Sequence, residues 1–467
     1  MNLFLGLGVA FALWYFSDSP WLIEKEDASM DWLMQISQNR ISPLYEKNIP
    51  NFVFLDVDDK TYYDWGEPLF MPSRQHLVNI VNAAIEAKAR LIIVDFDIGQ
   101  RTPTESDQLH PDDQVLKDYL ISYVTECRKK QDDSTCPLVI LKRSFTTEER
   151  FIPILRTHFL DEIMTQSAPY IQWASTQLYP RGDKIIRRWK LWQPACTSNR
   201  QPVIIPSIEL LAMSLVKEDC IIQDVQNTLQ LLKPKNCDND ILEVSFNLCG
   251  INTEKGGIDQ RIMYSMSWLV NHRPPKLPYL LTDKSGGTAL TIFSAQPYAK
   301  SLSQVDLTTL KNSIVIIGGS YREGRNIYLT SLGDMPSTLI VANTLYSLWH
   351  YEKIELFLVI DVSIKALFIV IMSIFFMIFP SRWGMIISGI LIIFGLLPVA
   401  MIMFFHYSMW FNFAVPLVVI SIYQIIRKSF EPWLWLYLRT WYQKHCLTFS
   451  WQKRKNYNVG ETVVIGA

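Results

Sequence analysis

The chain has 467 residues, about half of them hydrophobic, and a net charge of −1 from 44 Lys and Arg against 45 Asp and Glu. A balanced charge gives no electrostatic reason for a nucleic-acid partner. Seven His without an HExxH or paired spacing give no zinc site, and no Gly-x-Gly-x-x-Gly or Walker spacing gives a nucleotide loop, so no cofactor and no metal is expected.

The chain opens on Leu3 to Phe16, an uncharged run of 14 residues that Trp21, Leu22 and Ile23 can extend past a Ser-Asp-Ser-Pro break. It reads as an uncleaved anchor over residues 1–23, with a signal peptide or a misassigned start codon as the alternatives. From Glu24 to Arg40, the spacing of Ala28, Trp32, Leu33 and Ile36 predicts that the anchor continues outward as an amphipathic helix with those residues on its apolar face. Asn51 to Val57 is a buried strand, Arg74 to Ala87 a helix with one apolar face, and Arg90 to Asp95 a second buried strand. Strand, helix and strand form a βαβ unit with parallel strands and a right-handed crossover. A helix from Asp112 to Cys127 and a strand from Pro137 to Leu141 follow.

In the middle, Tyr170 to Ala174 and Ile185 to Gln193 read as strands, the second exposed because Arg187, Arg188 and Lys190 interleave with Trp189 and Trp192. Pro202 to Val216 starts as a strand and becomes a helix at Ser207. Residues 217–257 read as a polar, Cys-bearing insertion, and Ser285 to Thr288 as a loop before the strand Leu290 to Phe293. A helix from Ser303, a strand from Ser313 to Ile317, a Gly318-Gly319-Ser320 turn and a helix from Leu339 to Trp349 close this part. The expected fold is α/β over 24–353: a mixed, largely parallel sheet with flanking helices.

Residues 354–426 then hold three apolar runs, Leu356 to Phe379, Gly384 to Phe405 and Met409 to Ile426, each about the 20 residues needed to cross a bilayer. Arg382 in the first connection and Arg427, Lys428, Arg439, Lys444, Lys453, Arg454 and Lys455 after the last run place those sides in the cytoplasm. Residues 24–353 are then extracytoplasmic, on a multi-pass protein of a bacterial inner membrane, and 427–467 form a cytoplasmic juxtamembrane tail. Six of the seven Cys fall outside, which suits an oxidising compartment. Cys127 and Cys136, across a short polar loop, are the expected disulfide.

The residues also resemble a family. Asp58-Asp59-Lys60-Thr61 after the first strand, Trp65-Gly66 with Pro72-Ser73-Arg74, Ala87-Lys88-Ala89 before Ile92 to Asp97, Asp183 with Arg187-Arg188, Ile205 to Leu210, Lys311 to Gly318 and Ala342-Asn343 occur in the order seen in the type-2 CHASE domain. That is an extracytoplasmic sensory domain of bacterial cyclases, histidine kinases and Ser/Thr kinases, with one anchor before it and three spans after it. The resemblance covers Trp32 to Tyr346. Ser337 and Val341 stand where the family usually has Gly and His, and Asn326 where it has an Asp.

Candidate site residues follow from the pattern. Two strands, read as adjacent, end in carboxylates and place Asp56, Asp58 and Asp59, then Asp95 and Asp97, at the crevice where open parallel sheets bind ligands, with Arg74 set to pair with one of them. Turn chemistry alone, with Asp side chains capping the loops after strands, is the somewhat favoured reading of such Asp. Asp361 and Lys365, four apart on the first C-terminal span, are a candidate transmembrane relay. Trp433, Trp435, Arg439 and Trp441 in the tail are a candidate membrane or partner surface.

With 41 residues after Ile426, no catalytic output domain is expected. The resulting expectation is a non-enzymatic inner-membrane sensor or relay subunit, possible as a homo-oligomer, whose partners are the bilayer and a separate output protein. A structural or pore-forming subunit of a membrane assembly is the alternative. A periplasmic phosphatase with Asp56 as nucleophile is a weaker one, since Lys60 stands where that motif wants Thr or Val.

Overall fold

The computed structural model describes residues 19–37, 51–66, 73–99, 101–104, 108–130, 136–146, 152–176, 178–180, 182–216, 222–237, 246–248, 251–253, 259–268, 279–282, 288–300, 305–324, 326–350 and 397–407, with isolated positions at 367, 374, 390, 394 and 395. The chain divides into two compact units, one of 1–29, 356–403 and 410–467, the other of 30–355 and 404–409.

In chain order the described strands are β1 (Phe52–Val57), β2 (Leu91–Val94), β3 (Leu138–Lys142), β4 (Phe145–Thr146), β5 (Ile154–Leu155), β6 (Ile171–Ala174), β7 (Leu178–Pro180), β8 (Ile186–Lys190), β9 (Trp192–Cys196), β10 (Pro202–Pro206), β11 (Phe246–Leu248), β12 (Ile251–Thr253), β13 (Asp259–Arg261), β14 (Tyr279–Thr282), β15 (Thr288–Ser294), β16 (Ile314–Gly319), β17 (Ile327–Thr330) and β18 (Gly333–Pro336). The helices are α1 (Pro20–Ser37), α2 (Asp59–Asp64), α3 (Arg74–Glu86), α4 (Pro111–Lys129), α5 (Asp161–Ser167), α6 (Ile208–Val216), α7 (Ile222–Leu231), α8 (Gln296–Lys300), α9 (Ser337–His350) and α10 (Leu397–Tyr407).

The main sheet has the order β14-β15-β1-β16-β2-β3-β6 and is parallel except for β14 at its edge. Its central strands are largely apolar, with polar side chains mainly towards their C-terminal ends, because both faces are covered. Alternate residues divide between the faces, as the period of two requires. Val53, Leu55, Val57, Ile92, Val94, Val315 and Ile317 enter the core built with α3 and α4. Phe52, Phe54, Ile93, Ile314 and Ile316 are buried on the other face, where α9 packs and Phe54 meets Trp268 at 6.4 Å between ring centroids. The mixed, largely parallel α/β expectation matches this architecture.

Three expectations are corrected. The strands of the first βαβ unit are parallel but not adjacent. β16 lies between them, with Ile314 opposite both Phe52 and Leu91, so the strand of this sheet that comes last in the chain completes it from its middle. The single exposed strand from Ile185 to Gln193 is two strands in different sheets: β8 joins β13-β8-β17-β18, and β9 joins β10-β9-β5-β4. Arg187 on β8 is buried, because two carboxylates neutralise it. Finally, α1 turns a different face inward. It buries Asp27, Met30, Asp31, Leu33 and Met34, while Trp32 and Ile36 stay exposed. Hydrophobicity alone misread this helix because two acids belong to its buried stripe.

Cys127 and Cys136 form the expected disulfide, joining the end of α4 to the start of β3. A second joins Cys196, the last residue of β9, to Cys237 across 41 residues. Loop-closure entropy makes the longer link worth about 4 kcal/mol and the shorter about 3 kcal/mol. The segment read as an insertion is thus tied down, and α7 within it buries Val225 and Leu229. Cys220, Cys249 and Cys446 lie outside the described residues, as do residues 301–304, where the helix from Ser303 was expected to start.

Candidate functional site

The carboxylates predicted at the strand ends do sit along the C-terminal edge of the parallel sheet, and each is engaged by the chain itself. Asp56, near the end of β1, has no solvent exposure. It accepts hydrogen bonds from Ser320 N at 2.9 Å and Ser320 Oγ at 2.7 Å, just after β16. Burial, opposed only in part by those bonds, pushes its carboxyl up to about 7. Both oxygens of the residue that a phosphatase would use as nucleophile therefore face inward. Asp58 caps α2, accepting from Thr61 N at 2.7 Å. Asp59 accepts from Arg322 N at 2.8 Å near the surface.

Asp95, just beyond β2, is the most connected of the set. Lys142 Nζ at the end of β3 lies 2.8 Å away, and Ser337 Oγ and Thr338 Oγ1 donate to its other oxygen at 2.6 and 3.1 Å. Burial opposes the Lys142 charge, but the Asp95 carboxylate outweighs it and holds the ammonium above its ordinary value. Parity explains the geometry. Asp56, Asp95 and Gly318 all belong to the sheet face that α9 covers, so the first turn of α9 lands on the carboxylate. Asp97, in the following loop, accepts from Gly99 N at 3.0 Å and from Ser144 Oγ.

Arg74 does not pair with a strand-end Asp. Its Nε lies 3.2 Å from Asp113 Oδ1 on α4, and Asp113 also accepts from Thr102 N at 2.7 Å. Both side chains are almost fully buried, so the pair ties the start of α3 to the start of α4. Among the described residues, no group of three His, Cys, Asp or Glu is set to hold a metal ion.

Gly318 is what lets α9 approach. A Cβ there would lie 1.9 Å from Thr338 Oγ1 and 2.9 Å from Thr338 Cβ. Gly318→Ala should therefore destabilise the domain by about 1–3 kcal/mol, the usual cost of overpacking. Urea unfolding checks the size, and hydrogen exchange in 337–350 checks whether α9 is the element displaced.

Several residues at this edge were missed. Lys142, Ser320, Ser337 and Thr338 complete the carboxylate network. Glu209 on α6 is buried against Thr344 of α9, and burial pushes it up to about 7. The signal for Lys142 was present: Lys142-Arg143-Ser144 ends the apolar strand as Asp95 ends β2.

A second set of contacts gathers the helices at the two ends of the domain. Asp31 of α1 receives Arg187 Nε at 2.9 Å and Nη2 at 2.8 Å, and Asp183 takes Nη2 at 2.7 Å. Ser331 Oγ donates to Asp31, and Gln35 Nε2 donates to Ser331 O at 3.0 Å. Residues 262–267 run as a strap between α1 and α9. Tyr264 N meets Met34 Sδ at 3.3 Å, and Tyr264 Oη donates to Ile186 O at 2.9 Å. From α9, Asn343 Oδ1 accepts from Ser265 N at 2.9 Å and Met266 N at 2.8 Å, while its Nδ2 donates to Met266 O at 3.0 Å. Ser347 Oγ accepts from Met263 N at 2.7 Å. Asn343 was noted for the resemblance only, and Arg187 for that and as part of an exposed strand, because nothing in a sequence pairs positions so far apart.

Asp361, Lys365, Trp433, Trp435, Arg439 and Trp441 lie outside the described residues. Among those described, no helix is long and apolar enough to cross a membrane. α10, with no Asp, Glu, Lys or Arg, overlaps the end of the run Gly384 to Phe405.

A mostly parallel sheet covered on both faces, with polar side chains gathered where its strands end, places the folded part among the doubly wound α/β modules. The family model for the CHASE2 domain matches residues 6–378, and the chain belongs to that family of extracellular sensory domains. No curated protein and no solved structure matches the chain.

Proposed function

We propose that the chain is a membrane-anchored sensor that passes an extracytoplasmic signal through its spans to a separate output protein, without catalysing a reaction itself. The observation that carries this reading is the strap at 262–267. It is bonded to the helix by which the chain enters the domain and to the helix by which it leaves. A change in how the strap sits bears on both helices, because Asn343 grips the strap through three bonds, from Ser265 N, from Met266 N and to Met266 O. The family match supports the outer location and runs through the apolar stretches at Gly6 to Phe16 and Leu356 to Ile378. The residues following α9 have no Gly-rich or Ser-rich composition that would act as a flexible linker. The basic, aromatic tail is the surface offered to the partner, and Asp361 with Lys365 the pair that responds within the first C-terminal span.

Fusion of a periplasm-active reporter tests the arrangement. Fusions at Leu302 should be active and those at Arg382 or Ala467 inactive. The reverse pattern would remove the reading.

A further inference from the structure

The contact between α6 and α9 closes on a single carboxyl. Glu209 is the second residue of α6, a place where an acid ordinarily faces solvent and answers the helix dipole. Here it is 4% exposed, because α9 packs across α6, and α9 is itself buried at every residue from Ser337 to Leu348. Thr344 of α9 brings its hydroxyl within hydrogen-bond distance of Glu209 Oε1, and the same Oγ1 lies 2.8 Å from Val341 O.

Counting hydrogens tells what this geometry holds. Val341 O is a carbonyl and can only accept, and Thr344 Oγ1 has one hydrogen to give. Both contacts are made together only when Glu209 carries a proton and donates it to Thr344 Oγ1. An ionised Glu209 draws the Thr344 hydrogen to itself, and the bond to Val341 O is lost.

The surroundings also favour the acid. Among the described residues no cation reaches Glu209: α6 has no other titratable side chain, and β6 and β10 beside it have none. α7 brings only Asp224, which is exposed. α9 has no Asp, Glu, Lys or Arg. Its titratable residues are Tyr346, about 200° round the helix from Thr344, and His350 at its end. The nearest charges are Asp95, whose like sign opposes ionisation, and Lys142, already given to Asp95 at 2.8 Å. Burial, opposed only in part by hydrogen bonds from Thr344, Ser207 and the Glu209 backbone, pushes the carboxyl up to about 7.

We propose that Glu209 and Thr344 form a proton-operated catch, in which the protonated acid holds α9 against α6 and loss of the proton, as the extracytoplasmic pH rises toward neutral, frees the helix. An opening that lets water reach Glu209 returns it to its ordinary 4.5, so the catch is fully made below that value and is lost as pH rises to about 7. The proposal names the proton as the signal and rests on the sensor reading only for what happens beyond α9.

Hydrogen exchange in 337–350, followed from about pH 5 to pH 8 on the full-length protein in nanodiscs and divided by the intrinsic exchange rate at each pH, tests it. The opening of α9 should rise by up to about tenfold per pH unit below pH 7, the effect of one proton, and then level off. Glu209→Gln puts an amide donor on Thr344 Oγ1 at every pH and should abolish that rise. Thr344→Val keeps the shape without the hydroxyl and should open α9 about fivefold more than wild type at pH 5, whereas Thr344→Ser should behave as wild type. A Glu209→Gln profile parallel to wild type overturns the proposal, since Glu209 then keeps one charge state throughout. So does a Thr344→Val protein whose α9 opens no more than wild type, which decides the matter if Glu209→Gln does not fold. A pH response of α9 that leaves exchange in 427–451 unchanged keeps the catch and removes the relay.

Discussion

Arg187→Ala should destabilise the extracytoplasmic domain by about 3–5 kcal/mol, because it strands a buried carboxylate. Asp31 is almost wholly enclosed, and two guanidinium nitrogens approach it within 3 Å. Without Arg187, only Ser331 and the chain around it remain to solvate that charge. Asp31→Ala should cost less, since Arg187 keeps Asp183, which is partly exposed. The double variant should lose less than the sum of the singles, because neither charge is then left alone. Arg187→Lys should not rescue fully: an ammonium offers no two-edged fork for Asp31 and Asp183 together. Urea unfolding of the full-length protein, followed by tryptophan fluorescence, measures all four. A loss below about 1 kcal/mol for Arg187→Ala, the size of a surface pair, would mean that α1 is not held by this contact.

The second large effect is on pH. Asp56 rises from 3.8 to about 7 and Glu209 from 4.5 to about 7 on folding, burial being the leading cause of both. For an acid whose folded value is raised, the native state holds the proton more tightly than the unfolded chain. Its stability is then greatest below the unfolded value and falls as pH rises toward the folded one. Each group should therefore remove stability between about pH 4 and pH 7, on the order of 3–4 kcal/mol at 1.36 kcal/mol per unit. Asp56→Asn and Glu209→Gln should each flatten that decline and gain stability over wild type at neutral pH. Groups with depressed values, such as Asp183, act with the opposite sign, so the decisive quantity is the difference between variant and wild type. Two variants whose unfolding midpoints run parallel to wild type across this range would show that both carboxyls ionise without penalty.

The parts of the fold that the sequence made legible are those governed by short-range period. β1, α3, β2, α4 and β3 follow from apolar runs of the right length, and Ser207 opens α6 by accepting from Leu210 N, as its type and place implied. What stayed hidden depends on pairing across long stretches of chain. Nothing local says that β16 enters between β1 and β2, so the strand-end Asp were expected as neighbours. The same gap hid the partner of Arg74: Asp113 begins a helix, where acids are expected for reasons of helix dipole alone. Buried charge was misread in one consistent direction. Arg187 and Asp31 each look like surface residues until their union is seen, and the helix face containing Asp31 was turned outward in favour of Trp32. At the crevice, the Asp were found and the cations and hydroxyls that quench them were not. Gly318, read as part of a turn, is there because α9 needs the space.

In the proposed relay, the outer domain and the tail are mechanically coupled through α9. Hydrogen exchange of residues 427–451, measured on nanodisc-embedded protein, tests it most directly, with Asn343→Leu as the perturbation because it removes the bonds to Ser265 and Met266. Asn343→Leu should change exchange in the tail of the otherwise native chain. The same substitution should have no effect there once four Gly are inserted after Tyr351, although the outer domain responds as before. Tail exchange that ignores Asn343→Leu in the uninterrupted chain would contradict it.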